Sequence, residues 1–359
     1  MRSNLGGNKY KIAVIPGDGI GPEVVTEGLK VLNKVSKKRN IVFDLQEFDW
    51  GSEYFFKFDR MMPVDAIETL SKFDSIFLGA VGHPELQDHL TLNGLLLPIR
   101  RNFDQYVCER PSFLYPGIIS PLSGKNSGDI DIVVVRENTE GEYANIGGMQ
   151  YEGFPDQVAI QTSVFTKKGC ERVISYAFEL ARKRSKKGLV TSITKSNAQG
   201  YGMVLWDNVF ADISRLYPDI QTESLLIDAA CMDFIRRPED FDVVVASNLF
   251  GDILTDIGAI ITGSMGLAPS GNINPTRKFP SMFEPVHGSA PDISGKEISN
   301  PMASILSLEM MLDHLGEKDA AKDIQKALLK VLENPETLTP DLGGKYSTSQ
   351  VGDLVVSYL

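Results

Sequence analysis

The chain has 359 residues, of which 42% are hydrophobic and 23% charged, and a formal net charge of −11; these values suit a globular protein long enough for two domains. The negative charge argues against a nucleic-acid surface, and no apolar run approaches the roughly 18 residues of a membrane helix. Three widely spaced cysteines and four histidines argue against a disulfide framework and against structural zinc.

The first stretch, MRSNLGGNKYKIAVIPG, has no apolar signal core before a small-residue cleavage site, so the expected location is the cytoplasm. KIAVIP reads as a strand and residues 22–37 as the helix after it. Between them, IPGDGIGPEV has the position of a dinucleotide fingerprint but not its spacing. Gly17, Gly19 and Gly21 give GxGxG, one residue short of the third glycine that brings helix and strand together over a pyrophosphate. A tight strand-to-helix turn with Pro22 in the first helical turn is the better reading.

SIFLGAV is a second strand. LPIRRNFDQYVCERP then offers Arg100, Arg101 and Arg110, and the strand DIDIVVVRE ends at Arg136. Guanidinium forks bind carboxylates bidentately, so arginines converging on one cleft suit a small di- or tricarboxylate, and dispersed ones are surface ion pairs. The Gly-, Pro- and Ser-rich residues 116–129 read as a passage between domains.

Tyr143 follows Arg136 by seven residues. Beyond a helix over 166–186, the strand GLVTSIT runs into Lys195, which is either an exposed cation or a base whose pKa is lowered by desolvation beside a metal. A helix over 198–216 precedes the strand ESLLID, which ends at Asp228, and DVVVASN is the next strand. This alternation of strands and helices predicts an α/β protein with much parallel sheet, whose ligands gather at the carboxyl ends of strands.

In SNLFGDILTDIGA, Phe250, Ile253, Leu254, Ile257 and Ile260 form an apolar helical stripe, and Asp252 and Asp256 stand one turn apart. Like charges so placed repel. Either Asp252 favours the helix start and Asp256 faces water, or a cation lies between them. With Asp228 they make three hard oxygen ligands, which suit Mg²⁺ or Mn²⁺. Residues 263–275 read as a loop, followed by two amphipathic helices.

IPGDGIGPEV, RENTEGEY, TKSN, SNLFGDILTD and EPVHGSAPDISGKEISNP together resemble the isocitrate and isopropylmalate dehydrogenase family over nearly the whole chain. RMMPVDAIETL, GAVGHPELQDHLTLNG, RRNFDQYV and GNINPTRKFPSMFEPVHGSAPDI are most similar to its members acting on tartrate and D-malate. The resemblance implies two α/β domains sharing a large mixed sheet that is not Rossmann. One domain, residues 1–115 and 263–359, is discontinuous and binds the cofactor. The other, residues 116–262, carries substrate and metal sites and the dimer interface.

The resemblance further implies a homodimer with shared active sites, in which one copy supplies Lys195 and Asp228 to the Asp252, Asp256, Tyr143 and arginines of the other. NAD is expected against His287, Gly288, Ser289, Ala290 and Asp292, with Asn300 nearby. A carboxylate at Asp292 accepts hydrogen bonds from a ribose 2′-hydroxyl and repels a 2′-phosphate, which favours NAD over NADP. The implied reaction is metal-dependent oxidative decarboxylation of D-malate to pyruvate, and of tartrate. Lys195 and Tyr143 are its proton-transfer groups, and Arg100, Arg110, Arg136 and Asn93 bind the substrate.

Two other readings remain. In 3-isopropylmalate dehydrogenases glutamate is expected where this chain has Asn93, and tartrate-acting members often carry tryptophan there. A noncatalytic metal- and nucleotide-binding protein would lack the proton-transfer pair, whereas Tyr143 and Lys195 are both present.

Overall fold

The computed structural model describes residues 8–359; residues 1–7, the start of the stretch read as leaderless, lie outside the described residues. The strands in chain order are β1 (Lys9–Gly17), β2 (Val42–Glu47), β3 (Ser75–Ala80), β4 (Val107–Phe113), β5 (Asp131–Glu137), β6 (Gly141–Gln150), β7 (Val158–Val164), β8 (Leu189–Thr194), β9 (Gln221–Leu226), β10 (Val243–Ala246), β11 (Pro269–Ile273) and β12 (Ser281–Pro285). Contacts divide the chain into two compact units. A terminal unit takes the chain up to Gln105, then Arg110–Ile130 and Ala259–Leu359, and a central unit takes Tyr106–Glu109 and Asp131–Gly258. Residues 116–129 are therefore counted with the terminal unit.

In the terminal unit the strand order is β2-β1-β3-β12-β11. β1 is parallel to β2 and β3, β12 is parallel to β3, and β11 is antiparallel to β12. Period-2 alternation supplies both faces of this sheet. Ile12, Val14, Phe77 and Phe283 join one core with the helices Gly21–Arg39, Met302–Leu315, Lys318–Leu332 and Thr348–Tyr358. Ala13, Ile15, Ile76, Leu78 and Met282 join the other with Trp50, Met61, Leu95 and Ile99. Full burial of each large apolar side chain is worth about 1.5–3 kcal/mol, so strand ends set on this sheet are firmly placed.

The central unit has β5, β10, β8 and β9 in that order, all parallel. Helices Lys167–Arg184, Gly202–Ser214 and Ile227–Arg236 alternate with them, and most of helix Asn248–Ile261 also belongs here. β6 and β7 form a separate antiparallel pair with Ile146, Met149, Ile160 and nearby Phe154 exposed. Among the described residues no helix is long and apolar enough to cross a membrane.

Several sequence expectations need correction. ESLLID does not remain a strand to its end: β9 stops at Leu226, and Asp228 lies in the first turn of helix Ile227–Arg236. The helix expected from 198 starts at Gly202, after the turn in which the Ala198 and Gln199 amides bond to the Lys195 carbonyl. Residues 263–275 contain β11, whose PSGNI reads as turn chemistry yet is wholly buried, because Asn272 Nδ2 donates internally to Glu284 Oε1 at 2.7 Å. The C-terminal region holds three helices, with Thr348–Tyr358 started by a Ser347/Gln350 capping box.

Candidate active site

β5 delivers Arg136 into the central unit's interior, where it is only 2% exposed. Its Nε and Nη2 donate to Asn248 Oδ1 at 3.1 and 2.8 Å, and its Nη1 donates to Asp252 Oδ1 at 2.5 Å. The Tyr143 hydroxyl donates to the other Asp252 oxygen at 2.9 Å, and the guanidinium carbon lies 5.3 Å from the Tyr143 ring centroid. Gly251 permits this packing, because a Cβ there would meet Arg136 Cβ and Cγ at 2.7 Å. A fork, a phenol and a carboxylate thus share one network at the end of a parallel strand, which is where anion-binding and proton-transfer chemistry is expected in α/β folds.

The glutamates of RENTEGEY build its frame. Buried Glu137 accepts from the Thr139 amide and hydroxyl and from the Glu140 amide, and burial pushes its carboxyl above the usual range. Glu140 accepts from the Thr166 amide and hydroxyl at the start of helix Lys167–Arg184. Glu142 accepts from Ser247 Oγ and the Leu249 amide, satisfying a donor at the start of the helix that bears Asp252.

Asp252 is 32% exposed. Asp256, one turn further along the same helix, is exposed. Lys195, 27% exposed, donates to Asp228 Oδ1 at 2.7 Å. That hydrogen bond holds the 62% exposed Asp228 carboxyl below its usual range. Among the described residues no group of three or more His, Cys, Asp or Glu side chains is placed to hold a metal ion. The triad of Asp228, Asp252 and Asp256 is therefore not assembled within one chain. Its donors are still hard carboxylates at accessible positions, and that chemistry fits Mg²⁺ or Mn²⁺.

In the terminal unit Arg100 is buried, with Nη2 donating to Glu284 Oε1 at 2.8 Å and Nε without a hydrogen-bond partner. Arg110, also buried, places Nε 3.4 Å from Ser270 Oγ. Arg101 is partly exposed. Asn93 lies in a π-helical turn, Leu92–Leu96, and its Nδ2 donates to the His89 carbonyl at 2.8 Å. Such turns recur at functional sites.

The expected cofactor residues follow β12. Burial lowers the His287 pKa, and the His287 Nε2 is buried without a hydrogen-bond partner. The Ser289 carbonyl accepts from the Ile20 amide at 2.8 Å. Ala290 has φ +39°, and Gly288 and Asp292 are exposed. Asn300 Nδ2 donates to Asp341 Oδ2 at 3.0 Å, and its Oδ1 accepts from the Met302 amide. A cavity of about 610 Å³ is bounded by Val81–Asp88 and by Gly288, Ser289 and Pro291. The orphaned imidazole nitrogen and this cavity fit a dinucleotide. A larger cavity of about 820 Å³, beside Trp50 and Tyr54, contains none of the expected site residues.

Asn248, Asp341 and Glu284 escape a sequence reading. Each acts by holding another polar side chain, and only their adjacency in space reveals it. Asn248 and Glu284 had a signal, since Asn248 begins the helix that carries the paired aspartates and Glu284 begins the EPVHGSAPD motif.

The profile of the isocitrate/isopropylmalate dehydrogenase family matches residues 11–355. The chain is 49% identical over 348 residues to a probable tartrate dehydrogenase/decarboxylase of Agrobacterium vitis, covering 97% of each. It is 50% identical over 352 residues to the decarboxylating D-malate dehydrogenase of Escherichia coli K12, covering 96% of this chain and 97% of the relative. The crystal structure of isocitrate dehydrogenase from Methylococcus capsulatus superposes with a TM-score of 0.87 at 34% identity, covering 97% of this chain and 99% of that one.

Proposed function

Because the chain belongs to the isocitrate/isopropylmalate dehydrogenase family, we propose that it catalyses NAD-dependent, divalent-metal-dependent oxidative decarboxylation of D-malate to pyruvate and CO₂, and that it also acts on tartrate. The single observation that carries this reading is the Arg136–Asp252–Tyr143 network, which sets a carboxylate-binding fork beside a phenolic proton donor. The relatives named for tartrate and D-malate support the substrate class.

When bound, NAD accepts a hydride and the divalent cation polarises the hydroxyl and carboxylate oxygens of the substrate. Asp252 and Asp256 of one copy, with Asp228 of a second, would hold the cation, and the His287–Asp292 segment with Asn300 would hold NAD. Lys195, also from the second copy, takes the proton of the C2 hydroxyl as the C2 hydride leaves. The resulting ketone is β to the far carboxylate, so C3–C4 cleavage releases CO₂ and leaves an enolate. Tyr143 returns a proton to C3 of that enolate, giving pyruvate. Arg136 orients a carboxylate through its preset fork, and Arg100, Arg110 and Asn93 take substrate-binding roles.

Steady-state kinetics with D-malate, tartrate, 3-isopropylmalate and isocitrate, each with NAD or NADP and Mn²⁺, test the proposal. The highest kcat/KM is expected for D-malate with NAD. A preference for 3-isopropylmalate would replace the substrate assignment, and no turnover of any of the four would overturn the reaction.

A further inference from the structure

The GDG turn and the first turn of helix Gly21–Arg39 do not form a phosphate-binding fingerprint, but they grip the segment expected to bind NAD at two points. At its start, the Ile20 amide donates to the Ser289 carbonyl at 2.8 Å. Gly19, at φ +58°, makes that approach possible, because a Cβ there would lie 2.0 Å from the same carbonyl oxygen. At the far end, the Glu23 carboxylate accepts from the Gly295 amide at 2.5 Å and from Ser299 Oγ at 2.9 Å. Asp292 lies between these two anchors.

The anchoring elements are themselves fixed. Asp18, buried in the GDG turn, accepts from the Ser52 amide and hydroxyl, at 2.7 Å each, and from the Gly82 amide at 2.8 Å. Behind Ser299, the Thr348 amide donates to the Glu297 carbonyl and Thr348 Oγ1 donates to the Ser299 carbonyl. A loop tied at both ends to a helix start loses less conformational freedom when a ligand settles on it, so its anchors contribute to affinity without touching the ligand.

We propose that Glu23 is a positioning residue for the dinucleotide, acting through the Gly295 amide and the Ser299 hydroxyl to hold the His287–Asn300 segment in its binding shape. This role rests on the cofactor assignment above. Glu23→Ala removes both acceptors. Glu23→Gln keeps the side chain's length and one acceptor oxygen, and provides a second variant should the alanine form fold poorly.

NADH binding to the full chain, read by fluorescence titration, gives an affinity independent of turnover. Glu23→Ala is expected to weaken it about tenfold, with Glu23→Gln in between. KM for D-malate at saturating NAD should stay at the parental value, and the Gly295 amide should exchange hydrogen faster. A merely structural role would instead lower thermal stability and shift both KM values together. Parental NADH affinity in both variants overturns the proposal. Failure of the parent itself to bind NADH overturns the cofactor assignment and this role with it.

Discussion

Arg136 and Asp292 are both expected to meet charged or polar groups of small ligands, yet they are held in opposite ways. Arg136 is buried, its guanidinium fixed by Asn248 and Asp252 side chains. Asp292 is exposed on a segment anchored through the Ser289 carbonyl, the Gly295 amide and the Ser299 hydroxyl. In the first region orientation and stability are inseparable, because removing a partner strands a charge in low dielectric. In the second, the exposed side chain can be exchanged while the anchors remain, so a change of specificity is expected without a loss of stability.

The largest effect on stability should come from Arg136→Met, which keeps bulk but takes the guanidinium partner from Asp252, leaving it the Tyr143 hydroxyl, and leaves Asn248 Oδ1 without its guanidinium donors. Chemical denaturation should show a loss of about 3 kcal/mol, near the low end for a broken buried pair because Asp252 is partly exposed. KM for D-malate should rise as well. A variant as stable as the parent would show that the network does not couple orientation to folding.

Asp292→Lys tests the other side of the contrast. It should leave stability within about 0.5 kcal/mol and lower the ratio of NAD to NADP efficiency about tenfold, by replacing a ribose acceptor with a cation that attracts phosphate. An unchanged ratio would detach this segment from cofactor choice.

How far the sequence reveals the molecule depends on where each element's stabilising groups come from. β1, β3, β5, β8 and β10 are short apolar runs whose burial is written in their own residues. β11 and the β6–β7 pair are not legible in this way. PSGNI is buried because Glu284 answers Asn272, and GEYANIGGMQ is glycine-rich and exposed over its last six residues, with no alternation to read. At the site, Arg136, Tyr143 and Asp252 come together as a network, and the resemblance supplied the role of each. Asn248, Glu23 and Asp341 stayed hidden because a positioning group is defined by the partner it holds across the chain. Lys195 and Asp228 pair with each other across 33 residues of the chain, a contact that no local pattern in the sequence marks.

The division of proton transfer between Lys195 and Tyr143 is most directly tested by comparing two reactions in two variants, with NAD and Mn²⁺ present and binding constants measured beside rates. Lys195→Met should slow D-malate oxidation by roughly 10²–10⁴-fold, the usual worth of a positioned base, while decarboxylation of added oxaloacetate suffers much less. Tyr143→Phe should impair most the proton return that follows CO₂ loss. Near-parental turnover of D-malate by both variants would contradict the assignment of Lys195 as base and Tyr143 as acid.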